Sequence, residues 1–176
     1  VRQTSTRFAG MVLSSAAITW TVGSWISART IASVGPRRLV AIGMAIVTVG
    51  IAAMATVIST SVDPWFAVGA WLVGGFGIGL AYAPISQAVI AAADPAGLGA
   101  ATSALQLSDV LGFAVGTGLG GALVAIADRR DVQLDGSTVH AGVTMVWVIT
   151  AAMALLGVLA ASRMSRYLPN AERIRS

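Results

Sequence analysis

Cysteine and lysine are both absent from this 176-residue chain, and charged residues make up only 10% of it. The lack of cysteine excludes disulfide bonds, thiol catalysis and thiolate metal sites. Soluble domains carry about 25% charged residues, so the scarcity of charge excludes a water-soluble globule. The sequence therefore belongs to the class of membrane proteins.

The charge that is present is mostly positive, with eleven basic residues against seven acidic ones. The arginines stand singly or in pairs between apolar runs, without a basic face, which excludes nucleic acid as a partner. His140 is the one histidine, no span holds paired carboxylates, and no nucleophile has a plausible base. The sequence thus predicts no enzyme, no catalytic residue, no metal site and no cofactor.

Five apolar runs are long enough to cross a bilayer, because a hydrocarbon core of about 30 Å needs about 20 helical residues. Backbone polar groups in lipid must be paired within the segment, and the period-two alternation of barrel strands is absent. We predict an all-α integral membrane fold, a polytopic bundle of five transmembrane helices in a single membrane domain, residues 1–176. The predicted spans are residues 8–26, 39–59, 66–93, 99–127 and 141–161.

Arginines near the span ends predict the orientation, because cytoplasmic loops carry an excess of basic residues. With the N-terminus outside, seven arginines lie inside and four outside, and the tail of residues 163–176 is cytoplasmic. The seven are Arg29, Arg37, Arg38, Arg163, Arg166, Arg173 and Arg175.

Small residues recur at every fourth position in two spans, at Gly75 and Gly79 and at Gly112, Gly116 and Gly120. Such faces let helix backbones approach closely in lipid, so these glycines are predicted to lie at helix contacts. A phosphate-binding loop is excluded, because the glycine-rich strings lie inside membrane-length helices. Static packing and relative tilting of the helices during a conformational cycle both remain compatible with the pattern.

Asp109 is the only acidic or basic side chain inside a predicted span. Starting from Gly99, a rise of 1.5 Å per residue places it about 15 Å deep, near the midplane. A charge there costs about 2.5 to 3.5 kcal/mol, so Asp109 is expected to face protein or a wet cavity. It is a candidate for proton coupling; the alternatives are a structural hydrogen-bonding role, or a shallower position if the helix begins in the cytoplasm.

Residues 28–38 resemble the cytoplasmic loop signature of the major facilitator superfamily, G-x-L-x-D-R-x-G-x-R-R. Gly35, Arg37 and Arg38 match that signature. The first glycine, the aspartate and the first arginine of the signature are replaced by Ala28, Ala32 and Ser33.

A second stretch resembles the penultimate-helix region of fourteen-span drug:proton antiporters, where a loop P-x-x-x-G-x-A-S-G leads into a helix ending L-G-x-x-x-G. Asp109 stands where those proteins often have a basic residue. The residues that carry the resemblance are Ala96 to Gly99, Ala101 to Ser103, Leu111, Gly112, Gly116, Gly120 and Gly121.

The resemblance implies that the chain is part of a major-facilitator C-terminal half, namely the last five helices of a secondary transporter. It implies proton-coupled efflux of drugs or amphiphilic small molecules, with the first, third and fourth spans facing the cavity. The implied partners are the lipid bilayer, the remaining helices of the transporter, a small-molecule substrate and protons. The implied location is the cell membrane, multi-pass and bacterial. The polar candidates for the cavity are Tyr82, Gln87, Thr102 and Gln106.

Two alternatives remain open at this stage. Tyr82 and Gln87 could instead bond neighbouring helices. Since five spans do not make a complete facilitator, the chain could also be a non-transporting membrane subunit or truncated product that packs against a partner through its glycine-rich helix faces.

Overall fold

A computed structural model describes residues 5–57, 62–130 and 138–163, and five long helices account for almost all of them. The helices are α1 (Thr6–Val34), α2 (Pro36–Thr56), α3 (Phe66–Ala92), α4 (Leu98–Arg129) and α5 (Thr138–Arg163). A 3₁₀ turn, Pro95–Gly97, precedes α4. All five helices are long and apolar enough to cross a membrane. The described part of the chain is therefore an all-α bundle, which confirms the predicted fold class.

The helices continue past several predicted span limits, most clearly at the joint between α1 and α2. Gly35 alone separates Val34, the end of α1, from Pro36, the start of α2. Gly35 has a φ of 86°, which glycine adopts without steric strain. Pro36 suits the first helical position because no backbone N–H is needed there. The stretch that resembles a loop signature thus consists of two helix ends and a one-residue turn, whereas tail residues 164–176 lie outside the described residues.

Asp63 organises the entry into α3. Its Oδ1 accepts a hydrogen bond from the Trp65 N–H at 2.8 Å. The N–H groups of Phe66 and Ala67 donate to the backbone carbonyls of Asp63 and Pro64. N–H groups that would be unpaired at a helix start are thereby satisfied before the chain enters the apolar layer.

The centre of the bundle is α3, which packs between α1 and α2. On the α1 side, a Cβ added to Gly75 or Gly79 would overlap the carbonyl oxygen of Ala16 or Trp20. Gly23 of α1 lies equally close to the α3 backbone. The two backbones are in direct contact, which is how membrane helices gain dispersion energy where lipid provides no hydrophobic gain.

The α2 side of α3 uses different glycines. A Cβ on Gly43 of α2 would lie 2.6 Å from the carbonyl oxygen of Gly77. A Cβ on Gly50 would lie 2.8 Å from the nitrogen of Gly74. Because consecutive turns of α3 present glycine to both neighbours, α1, α2 and α3 form one closely packed unit.

In contrast, α4 is sparsely covered by the rest of the described chain, with Ala127 as its one buried residue. It packs against α5, where Gly142 lies against the backbone of Val124, and has few contacts with α3. The other contact of α5 is with α2, through Gly157 and Met44. Between Thr102 and Leu119 nearly every residue of α4 is exposed. This uncovered stretch carries most of the polar residues that the sequence singles out.

Candidate functional site

Tyr82 of α3 and Asp109 of α4 form a hydrogen-bonded pair. The Tyr82 hydroxyl donates to Oδ2 of Asp109 at 2.7 Å. That separation is the usual one for a hydroxyl donor to an oxygen acceptor. The bond joins the closely packed unit of α1, α2 and α3 to the loosely attached α4.

The two residues meet because they lie at the same depth. Tyr82 is about 10 residues before the end of α3, and Asp109 is about 11 residues after the start of α4. At 1.5 Å per residue, both positions are about 15 Å from the short connection between these antiparallel helices, half the thickness of a hydrocarbon core. The pair therefore lies at the level expected for the middle of the membrane.

Trp20 of α1 completes the arrangement on the other side of Tyr82. Its ring meets the Tyr82 ring edge to face, with centroids 5.9 Å apart and planes at 61°. This geometry is favourable for aromatic pairs and restricts the orientation of the tyrosine ring. Sequence reasoning missed Trp20, since a tryptophan inside a span gives no sign of which helix it faces.

The other cavity candidates are not part of the Tyr82–Asp109 pair. Gln87 is five residues after Tyr82, which is about 140° around α3, and its side chain is exposed. Thr102 and Gln106 share the Asp109 face of α4 and are also exposed, with the Thr102 hydroxyl donating to the Leu98 carbonyl at 2.9 Å. The structure thus joins Tyr82 to Asp109, aligns Thr102 and Gln106 with them, and directs Gln87 elsewhere.

The two predicted glycine stripes have different surroundings. Gly75 and Gly79 lie against the α1 backbone. A Cβ on Gly112 or Gly116 would meet no atom of the described chain within 4 Å, and one on Gly120 would be in ordinary contact with Val146, 3.7 Å away. One stripe is therefore covered, and the other lies mostly open on the Asp109 face of α4.

The residues that match the loop signature cluster at the joint between α1 and α2. Gly35 forms the turn, and Arg37 and Arg38 lie in the first turn of α2, half-buried and exposed respectively. Near the end of α1, the Arg29 guanidinium stacks over the Trp25 ring at 4.0 Å. A tryptophan with an arginine is typical of a helix end at a membrane–water interface.

A comparison with known protein families identifies the family of this chain. The model of the Major Facilitator Superfamily matches residues 2–175. The chain belongs to that superfamily. It is therefore a multi-pass membrane protein of a transporter family, whose members are generally not enzymes and move small molecules across the bilayer. No curated protein and no solved structure shows significant similarity to the chain.

Proposed function

We propose that the chain forms the last five helices of a proton-coupled secondary transporter that exports drugs or other amphiphilic small molecules. The observation that carries the proposal is the Tyr82–Asp109 hydrogen bond between two helices of membrane-crossing length. Facilitator folds bind substrate near the midplane and expose it alternately to the two sides. An ionisable group at that depth is placed to link proton movement to this exchange.

Asp109 is the proton-binding group in this proposal. When it is ionised, the Tyr82 hydroxyl stabilises the carboxylate by a charge-assisted hydrogen bond. When it is protonated, α4 loses a charge that costs about 2.5 to 3.5 kcal/mol in an apolar environment. Protonation therefore changes the relative free energies of conformations that hold Asp109 in a wet cavity and conformations that cover it.

The substrate cavity is proposed to lie along the exposed face of α4. Thr102 and Gln106 contribute polar groups there, and Tyr82 borders it from α3. Gln87 is retained as a more distant candidate on another side of α3. Most of the remaining exposed surface of α4 is alanine, glycine, valine and leucine, so it favours amphiphilic compounds that need few hydrogen bonds.

The remaining helices of the transporter are proposed to cover part of the open glycine stripe. Gly112 and Gly116 have no side chain and no neighbour within the described residues, so a helix backbone can approach them closely. Such a contact is also available to a non-transporting partner, which is the alternative role for the chain. The superfamily match and the Tyr82–Asp109 pair favour transport.

Transport itself is tested in proteoliposomes. The intact transporter that includes this chain is expected to move a fluorescent amphiphilic dye when a proton gradient is imposed, and the 176-residue chain alone is expected to move none, because the midplane site needs two repeats. Collapse of the gradient with an uncoupler is the control. Gradient-independent flux by the intact protein contradicts proton coupling, and robust flux by the chain alone contradicts the proposal that it is a portion.

Orientation in the cell membrane is tested by reporter fusions. With a cytoplasmic C-terminus, as the arginine distribution favours, fusions ending after Arg38 and after Arg175 are expected to report the cytoplasm. A fusion within residues 131–137, which lie outside the described residues, is expected to report the opposite side. Each site is examined with two reporters of opposite compartment preference, so a misfolded fusion is recognised by loss of both signals. The reverse pattern contradicts the proposed orientation.

A further inference from the structure

Pro84 interrupts the hydrogen bonding of α3 two residues after Tyr82. Proline has no N–H, so the carbonyl four residues earlier, that of Leu80, loses its helical donor. The α3 helix nevertheless continues through Pro84 to Ala92, and Pro84 is fully buried. A buried carbonyl without a donor is costly, particularly in a membrane where water is absent.

Ser27 of α1 supplies the missing donor. Its hydroxyl donates to the Leu80 carbonyl at 3.1 Å, and Ser27 has 0% exposure. The neighbouring Ser24 also reaches α3, where its hydroxyl is 3.4 Å from the Gly79 carbonyl. The difference is that Gly79 is four residues before Ala83, which has a backbone N–H to offer, whereas Leu80 is four residues before Pro84, which has none.

The stretch of α3 that lacks this helical bond is the one that carries Tyr82. Leu80 lies two residues before Tyr82, and Pro84 lies two residues after it. On α1, Trp20 contacts the Tyr82 ring from the same face that presents Ser27. The tyrosine hydroxyl is at the far end of a long side chain, so a small rotation of α3 at this break moves it further than it moves the Tyr82 backbone.

We propose that Ser27 is a positioning residue that replaces the donor lost at Pro84 and thereby holds the Tyr82 hydroxyl on Asp109. The functional part of this inference rests on the proposed role of Asp109 in proton coupling. Ser27 does not touch substrate or the proton. It fixes the rotation of α3 at the break, and the 2.7 Å bond from Tyr82 to Asp109 depends on that rotation.

The first test measures the distance between positions 82 and 109 directly. The chain contains no cysteine, so the pair Tyr82→Cys and Asp109→Cys can be introduced and joined with a short bifunctional maleimide in membranes. Adding Ser27→Ala is expected to slow cross-linking about threefold, the effect of one interhelical hydrogen bond in a membrane. Ser24→Ala is the matched control and is expected to leave the rate unchanged. An unchanged rate with Ser27→Ala overturns the proposal.

The second test uses proline removal as a rescue. Pro84→Ala restores the N–H that the Leu80 carbonyl lacks, so Ser27→Ala is expected to have no further effect on cross-linking in that background. If Ser27→Ala alone folds poorly, the double variant is expected to give more folded protein than the single one. Equal effects of Ser27→Ala with and without Pro84 contradict the link between the two residues.

The third test separates positioning from a purely structural role. In the intact transporter with Tyr82 present, Ser27→Ala is expected to shift the pH dependence of flux per folded molecule in the same direction as Tyr82→Phe. Adding Ser27→Ala to Tyr82→Phe is expected to cause no further shift. A loss of folded protein without any pH shift overturns the positioning role. If Asp109→Asn also leaves pH-driven flux intact, the proposed function has failed, and the cross-linking result alone then decides the role of Ser27.

Discussion

Asp109→Asn is expected to abolish pH-driven flux by the intact transporter while leaving substrate binding within about threefold. Asparagine keeps the shape of aspartate and can still accept a hydrogen bond from the Tyr82 hydroxyl, but it cannot take up or release a proton. Since one interhelical hydrogen bond in a membrane is worth about 0.6 kcal/mol, its weakening changes binding only slightly. Flux driven by an imposed pH gradient and equilibrium binding of the same dye are measured on one preparation.

Asp94→Asn is the matched control for this experiment. Asp94 lies in the connection before α4 and makes no side-chain cap hydrogen bond to the following turn. The substitution removes the same charge as Asp109→Asn, but from a position outside the membrane-crossing part of the helix. We therefore expect pH-driven flux to persist. If Asp109→Asn transports as well as the parent across a proton gradient, Asp109 takes no part in coupling.

Gly79→Leu is expected to eliminate folded protein. A single added Cβ at Gly79 would already overlap the Trp20 carbonyl oxygen and lie 2.9 Å from the Ser24 nitrogen. Both obstacles are backbone atoms of α1, which cannot move aside as a side chain could. Overpacking a well-packed core costs about 1 to 3 kcal/mol of folding free energy. For a leucine at a contact between two backbones, we expect a cost at or above the upper end of that range. The monodisperse yield after size-exclusion chromatography in detergent measures the effect.

Gly69→Leu provides the control on the same helix. Gly69 is exposed, and a Cβ there would meet no atom within 4 Å. Its replacement adds the same volume and removes the same backbone freedom from α3, so the yield is expected to match or exceed the parent's. Comparable yields for Gly79→Leu and Gly69→Leu contradict the close packing of α1 against α3.

Several features of this protein follow from the sequence alone because they depend on local chemistry. An uninterrupted apolar run must pair its own backbone groups in lipid, so five such runs predict five helices. Asp109 is identified by its charge in an otherwise apolar stretch. Although some residues of the loop signature are replaced, Gly35 still matches it. The one-residue turn requires the positive φ of this glycine.

Other features required the tertiary structure, because they depend on which helix faces are neighbours. The stripes at Gly75 and Gly79 and at Gly112 and Gly116 have the same spacing, yet only the first lies against another helix of the described chain. Gly23 and Gly43 form equally close contacts, although the sequence analysis did not single them out. The spacing of glycines along a helix predicts a smooth face, but whether that face is covered depends on the neighbouring helices.

The candidate site shows the same division. Sequence placed Asp109 near the midplane and named Tyr82 as a polar residue of α3, whereas their hydrogen bond depends on α3 and α4 being antiparallel and starting from one short connection. Likewise, Pro84 in a helix implies an unpaired carbonyl, but nothing local indicates that Ser27, more than fifty residues away, supplies the donor. Hydrogen bonds within a helix are determined by the sequence of that helix, and those between helices are determined by the packing that brings their faces together.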